Sequence, residues 1–209
     1  MTEIATAPPN RMAKRRQRTR EQLLAAVESL VLEHGYAEAS AEAIAELADL
    51  GRSTFYNHFD NKQDAVLATL IAHYHDYGGA AYVPLEETHD RAESVVRSTL
   101  RVFKAMAEDP LTRQLVDRPR LLAQANAESQ GEFMVRDFTE GVEQGRFKFS
   151  VSLESLGTAL NWSYVGLLIR AITQDSAEET SLEWARFLLL NLGIQQDEIE
   201  GLISAALQH

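Results

Sequence analysis

Arg52, Ser53, Thr54, Tyr56, Asn57 and His58 crowd six charged or hydrogen-bonding side chains into seven positions. They offer donors and acceptors, not a nucleophile beside a base. Arginine is the commonest specific reader of guanine, and hydroxyl and amide groups meet bases or phosphates. The chemistry they suit is recognition of duplex DNA. Phe55 and Phe59, four apart, share one side of a helix and face a core. Isolated helices below about 12–15 residues are marginal, so neighbouring elements must hold this segment. Two roles stay open for Tyr56, outward contact or core packing, and two for His58, outward contact or a hydrogen bond within the domain.

The flanking sequence supplies those neighbours. Thr19 and Gln22 have capping-box spacing, and Leu23, Val27, Leu30 and Val31 then form one apolar helical face. Gly35 stands where a left-handed cap is wanted. Ser40 is a good N-cap for a second helix, with Ile44, Leu47 and Ala48 facing inward. The turn Asp49-Leu50-Gly51 follows, and Asp49 is among the few non-glycine types that tolerate a left-handed backbone. A third helix starts near Arg52. This is a helix-turn-helix, whose second helix enters the major groove.

Residues 19 to 67 resemble the DNA-binding domain of the TetR family (TetR/AcrR type) of transcriptional regulators. The residues that carry the likeness are Ala25-Ala26, Gly35-Tyr36, Ser40, Ile44-Ala45, Ala48, the run Thr54-Phe55-Tyr56-Asn57-His58-Phe59, Lys62 and Leu67. The family usually has Gly at Asp49 and often Ser at Gly51. Tyr56 and His58 match positions that usually touch the DNA backbone. The resemblance implies a homodimeric repressor released from a near-palindromic operator by a small molecule.

Charge is unevenly spread. The chain has 20 basic and 31 acidic residues, a net −11. Arg11, Lys14, Arg15, Arg16, Arg18 and Arg20 all precede position 21, where Glu3 is the sole acid, leaving 14 basic against 30 acidic residues. A basic arm ahead of an acidic body suits phosphate contacts through the arm. Pro8-Pro9 and the scarcity of apolar residues favour disorder there. Arg16 and Arg18 on the arm, with Ser40 and Lys62, join the six residues above as expected DNA contacts.

Past Lys62 the pattern is helical throughout. Gly78-Gly79, Pro84, Asp109-Pro110, Pro119, Gly145 and Gly193 punctuate it, and Ser152 and Ser176 stand as N-caps. The helices near 153–172 and 182–192 are apolar nearly all round, so each is buried on more than one side. The extra side is most simply a second copy of the chain, with Leu160, Leu167, Leu168, Leu188, Leu189 and Leu192 at the dimer interface and Gly157 and Gly166 allowing close approach; the alternative is a helix central in a monomer core. For a ligand, His73, Tyr77, Phe103, Met106, Phe138, Trp162 and Arg170 are candidate contacts, with Tyr74, Phe133 and Tyr164 nearby.

Other classes find little support. There is no cysteine, hence no thiolate nucleophile or metal site. No glycine-rich phosphate loop, nucleophile elbow or His-Glu-x-x-His motif occurs. His73 and His75 lie on different helical faces, unlike an i, i+4 metal pair. No cofactor is implied. No amino-terminal stretch resembles a signal peptide, and no run is long enough to span a bilayer, so a cytoplasmic protein is expected. The expected architecture is all-α: a disordered arm over 1–18, a helix-turn-helix DNA-binding domain over 19–62, and a ligand-binding and dimerisation domain over 63–209. The competing readings are a DNA-binding adaptor or activator whose carboxy-terminal domain binds a protein, and an α-helical enzyme.

Overall fold

The computed structural model describes residues 11–208, and the regular structure among them is helical. The chain divides into two units, one ending at Thr69 and the other beginning at Leu70. The boundary falls inside a helix, seven residues beyond the expected start of the second domain.

The first unit holds α1 (Arg11–His34), α2 (Ala41–Leu47), α3 (Arg52–Tyr56) and the first turns of α4 (Lys62–Ala81). Its core is Leu23, Val27, Val31, Ile44 and Phe55, all inaccessible to solvent, with Phe59 nearly so. Burying each such side chain contributes about 1.5–3 kcal/mol, which is what holds a five-residue helix in place. Gly35, at φ 80°, ends α1 and donates its N–H to the Val31 carbonyl. Ser40 caps α2 by accepting the Ala43 N–H at 3.1 Å. Asp49 takes φ 55° in the turn.

Two expectations fail in this unit. The arm is not disordered over 11–18, because α1 begins at Arg11 and Thr19 is an interior residue, not a cap. Arg, Lys, Gln, Ala and Met are good helix formers, so the helix seeded by the Leu23 face propagates backward through them. The part of the expected arm before Arg11, Pro8-Pro9 included, lies outside the described residues. Leu47 is 51% exposed instead of inward. Ala41, Ile44, Ala45 and Ala48 occupy the i, i+3, i+4, i+7 stripe, and Leu47 falls beside it.

The second unit contains the rest of α4, α5 (Leu85–Thr88), α6 (Arg91–Glu108), α7 (Pro110–Gln114), α8 (Pro119–Glu143), α9 (Leu153–Gln174), α10 (Ala177–Asn191) and α11 (Gln196–Leu207). Helix α6 is central, packed by α8, α9, α10 and α11, while α8 pairs with α9 and α9 with α10. Gly78 and Gly79 do not stop α4, which runs to Ala81. A Cβ at Gly78 would lie 2.7–2.9 Å from Gln130 and Phe133, so this glycine admits side chains from α8. Helices α9 and α10 end at Asp175 (φ 51°) and just before Gly193 (φ 85°). No described helix is long and apolar enough to cross a membrane.

Candidate nucleic-acid interface and helical cavity

Helix α3 anchors through one ring and displays the rest. Phe55 is sealed in the core, edge-on to Tyr56 at 5.3 Å and tilted against Phe59 at 5.6 Å. Arg52, Ser53, Tyr56 and Asn57 are exposed, and Thr54 and His58 are half-buried. Tyr56, 44% exposed, takes the outward alternative. The Arg52 guanidinium lies 5.5 Å above the Tyr56 ring and pairs with Glu42 at 2.9 Å. Its bond with Tyr56 and the charge of Glu42 raise its pKa, in that order.

The start of α1 flanks this surface with positive charge. Arg16 and Arg18 are exposed, and Arg20 lies over the Phe59 ring at 4.7 Å. Burial, then the charges of Arg16 and Arg20, hold the His58 imidazole below its ordinary pKa. Two expected phosphate contacts have internal roles as well. Ser40 spends an oxygen lone pair on its cap, leaving its hydroxyl proton to donate. The Lys62 ammonium donates to the Tyr36 and Ala37 carbonyls at 3.0 Å each and sits 4.5 Å above the Tyr36 ring. Lys62 therefore ties the start of α4 to the α1–α2 turn.

Within the second unit, α4, α6, α8, α9 and α10 line a half-open cavity of about 360 Å³. Its walls include the rings of Tyr82, Phe133, Phe138, Tyr164 and Trp184 and the aliphatic chains of Val95, Val102, Leu160 and Leu188. Polar groups enter from Ser98, Asn126, Gln130, Arg136, Asp137 and Asn161. Asn126 Nδ2 donates to Asn161 Oδ1 at 2.8 Å, and Asn161 Nδ2 donates to the Ala123 carbonyl at 3.0 Å. Tyr164 donates to Met106 Sδ at 3.0 Å. Arg136 lies 3.9 Å from the Tyr82 ring centre and donates to Asp137 at 3.0 Å. Burial pushes the Asp137 carboxyl up, against the opposing bond from Arg136.

Of the seven expected ligand contacts, only Phe138 lines the cavity. His73 and Tyr77 bind Asp109 instead, at 3.2 and 2.9 Å. Phe103 and Met106 are fully buried behind Tyr164. Trp162 is half exposed, and Arg170 pairs with Glu183 at the surface. Asn126, Gln130, Asn161 and Trp184 went unread. Asn161, an amide between Leu160 and Trp162, carried a signal, since a polar group in an apolar run needs a partner.

The expected dimer residues are displaced in the same way. Leu160, Leu168, Leu188, Leu189 and Leu192 are buried in their own chain, and Leu167 is half-buried. The outer faces of α9 and α10 instead display Ala159, Trp162 and Gly166 with Phe187 and Leu190. A Cβ at Gly157 would meet Met134 at 2.7 Å, so this glycine serves α8–α9 packing, whereas Gly166 faces open space.

Residues 23–69 match the model of the bacterial regulatory proteins, tetR family. The transcriptional regulator TtgR of Pseudomonas putida is 33% identical over 101 residues, covering 47% of this chain and 48% of TtgR. The chain thus matches about half the length of that curated relative. The transcriptional activator FasR of Mycolicibacterium smegmatis is 25% identical over 203 residues, covering 88% of this chain and 89% of FasR. The structure of RolR in complex with resorcinol superposes with TM-score 0.76 at 24% identity, covering 92% of this chain and 96% of RolR.

Proposed function

Through residues 23–69 the chain belongs to the tetR family of bacterial regulatory proteins, and from that premise we propose that it is a cytoplasmic, homodimeric repressor that a small molecule releases from a near-palindromic operator. The observation that carries the DNA reading is α3 itself: Phe55 is locked inside while Arg52, Ser53, Tyr56 and Asn57 stand exposed beside the basic start of α1. Arg52 reads a base edge, and Arg16, Arg18, Ser40, Tyr56 and His58 contact phosphates. Thr54 and Asn57 meet base or backbone, and Lys62 donates its remaining proton to a phosphate.

The exposed stripe of Trp162, Gly166, Phe187 and Leu190 supports association of two copies through α9 and α10. A two-fold pair reads half-sites about 34–36 Å apart, or a multiple of that spacing. The cavity supports a small-molecule effector. Helix α4 carries Lys62 at its start and Gly78 at the cavity wall, so a ligand that displaces α4 alters the spacing of the reading heads. RolR was crystallised with resorcinol, in keeping with an effector of modest size. FasR is named an activator, which supports activation through the same DNA surface as the second reading.

Selection of bound duplexes from a random pool, followed by fluorescence anisotropy on the winning sequence, tests this function. A dyad-symmetric site, bound in a salt-dependent way and read less strictly at one base pair of each half-site in Arg52→Ala, is expected. A reporter fused to that site distinguishes repression from activation. Failure to enrich any sequence would overturn the reading.

A further inference from the structure

The hydrogen-bond network around the cavity fixes which polar atoms remain for a ligand. A backbone carbonyl only accepts, so Asn161 must present its amide nitrogen to Ala123 and its oxygen to Asn126. Asn126 must then offer its nitrogen to Asn161, and its Oδ1 accepts no hydrogen bond from the described residues. Gln130 donates through its nitrogen to the Tyr74 carbonyl, which leaves its Oε1 in the same condition. The Tyr164 proton goes to Met106, leaving oxygen lone pairs. The Asn126 and Gln130 oxygens can only accept and so call for a donor on the ligand, while the Ser98, Thr99 and Thr158 hydroxyls of the same lining can give or take a proton.

The charges point the same way. Arg91 and Arg136 are matched by Asp137 and Glu140, and Glu154 adds a negative charge to the lining. No surplus cation awaits a carboxylate, phosphate or sulfate, and burying an unpaired anion is costly. Arg136 does keep one buried nitrogen, Nη2, without a hydrogen-bond partner. It stands ten residues along α8 from Asn126, about 15 Å of helix, and suits a neutral acceptor at the far end. The rings of Tyr82, Phe133, Phe138, Tyr164 and Trp184, set among the aliphatic chains of the wall, suit a flat aromatic body.

We propose that the cavity takes an uncharged aromatic compound bearing phenolic hydroxyl groups, one of which donates to Asn126 Oδ1. This rests on the cavity being the effector site. The hydroxyl oxygen is free to accept from Asn126 Nδ2 or from a neighbouring hydroxyl. A carboxylate in its place faces acceptors with no charge to offset it, and a methyl ether leaves Asn126 unsatisfied.

The test is isothermal calorimetry on the full-length protein without DNA. The probes are hydroquinone, its dimethyl ether, benzoate and lauroyl-CoA. Hydroquinone is expected to bind at least about tenfold tighter than the ether, the scale of one hydrogen bond lost at an acceptor that the ligand covers. Benzoate and lauroyl-CoA are expected not to bind. Asn126→Leu should erase the preference for hydroquinone over the ether. Tyr164→Phe, which keeps the ring and its packing, should reduce that preference without lowering affinity for the ether.

Equal affinities for hydroquinone and its ether, tighter binding of benzoate or lauroyl-CoA, or no hydroquinone binding up to its solubility limit would each overturn the proposal. A hydroquinone complex that leaves DNA binding unchanged would sustain the ligand class and defeat the repressor reading instead.

Discussion

Arg52 Nη2 and Glu42 Oε1 stand 2.9 Å apart, joining the first turn of α3 to the first turn of α2, with both side chains more than half exposed. A pair this exposed is weak, so Arg52 is parked without being trapped. When a base edge or phosphate arrives, the guanidinium exchanges partners, and Glu42 is left as a negative charge facing the duplex. Glu42→Gln should therefore raise DNA affinity severalfold at low salt and leave sequence preference unchanged. Arg52→Ala should instead cost about tenfold in discrimination at one base pair of each half-site. Anisotropy titrations on matched and mismatched duplexes separate the two. Weaker binding by Glu42→Gln would mean that the carboxylate aims Arg52 at its base.

Asp49 makes the turn before α3 with φ 55°. For most L-residues that conformation costs roughly 1–2 kcal/mol, and glycine escapes the penalty. Asp49→Gly should keep or raise the thermal midpoint, and Asp49→Val should lower it. Because Asp49 is exposed, the change acts through the backbone and not the core. Equal midpoints for the two variants in calorimetry would remove the backbone explanation.

The first unit was legible because its signals are local. Phe55 and Phe59 at four-residue spacing, Ser40 as a cap, Gly35 as a stop and Asp49 in the turn each follow from their immediate neighbours. The extent of α1 was misread because Thr19 offered a cap that the helix-favouring Arg and Lys residues before it made unnecessary. The second unit was legible as helices but not as a site. Which face of α8 meets α9, and so whether Asn126 finds Asn161, depends on contacts 35 residues apart in sequence. Composition alone made α9 and α10 apolar all round. Their small exposed stripe, Trp162 and Gly166 with Phe187 and Leu190, is separated from the buried leucines only once the helices are docked.

That stripe carries the third prediction. Trp162, Phe187 and Leu190 expose large apolar side chains on the outer faces of α9 and α10, and an exposed apolar patch marks a surface suited to a partner. Replacing Trp162 and Leu190 together by Glu should place like charges across a two-fold axis and desolvate them. Light scattering should then report a folded monomer, with helical circular dichroism retained and operator binding lost. A double variant that stays dimeric would move the interface elsewhere.

Asp109 supplies the last prediction. Its carboxylate is nearly inaccessible, caps α7, and accepts from His73 Nδ1, the Tyr77 hydroxyl, and both the Thr112 N–H and hydroxyl. Thr112 spends its only hydroxyl proton on Asp109, so Tyr74 is the donor in the 2.9 Å bond between Tyr74 and Thr112. Burial raises the Asp109 pKa, but the bonds from His73, Thr112 and Tyr77 outweigh it and leave the carboxyl below its ordinary value. A depressed pKa means that the unfolded chain takes up the proton first as pH falls. The stabilisation is therefore complete above the unfolded carboxyl value of about 3.9 and is lost as pH drops below it through the folded value. Asp109→Asn keeps the shape but replaces one acceptor with a donor facing other donors. Its urea midpoint should lie below that of the natural protein at neutral pH, and the gap should narrow below about pH 4. A gap that stays constant down to the acid transition would show that packing at Asp109, and not its charge, holds α4 against α7.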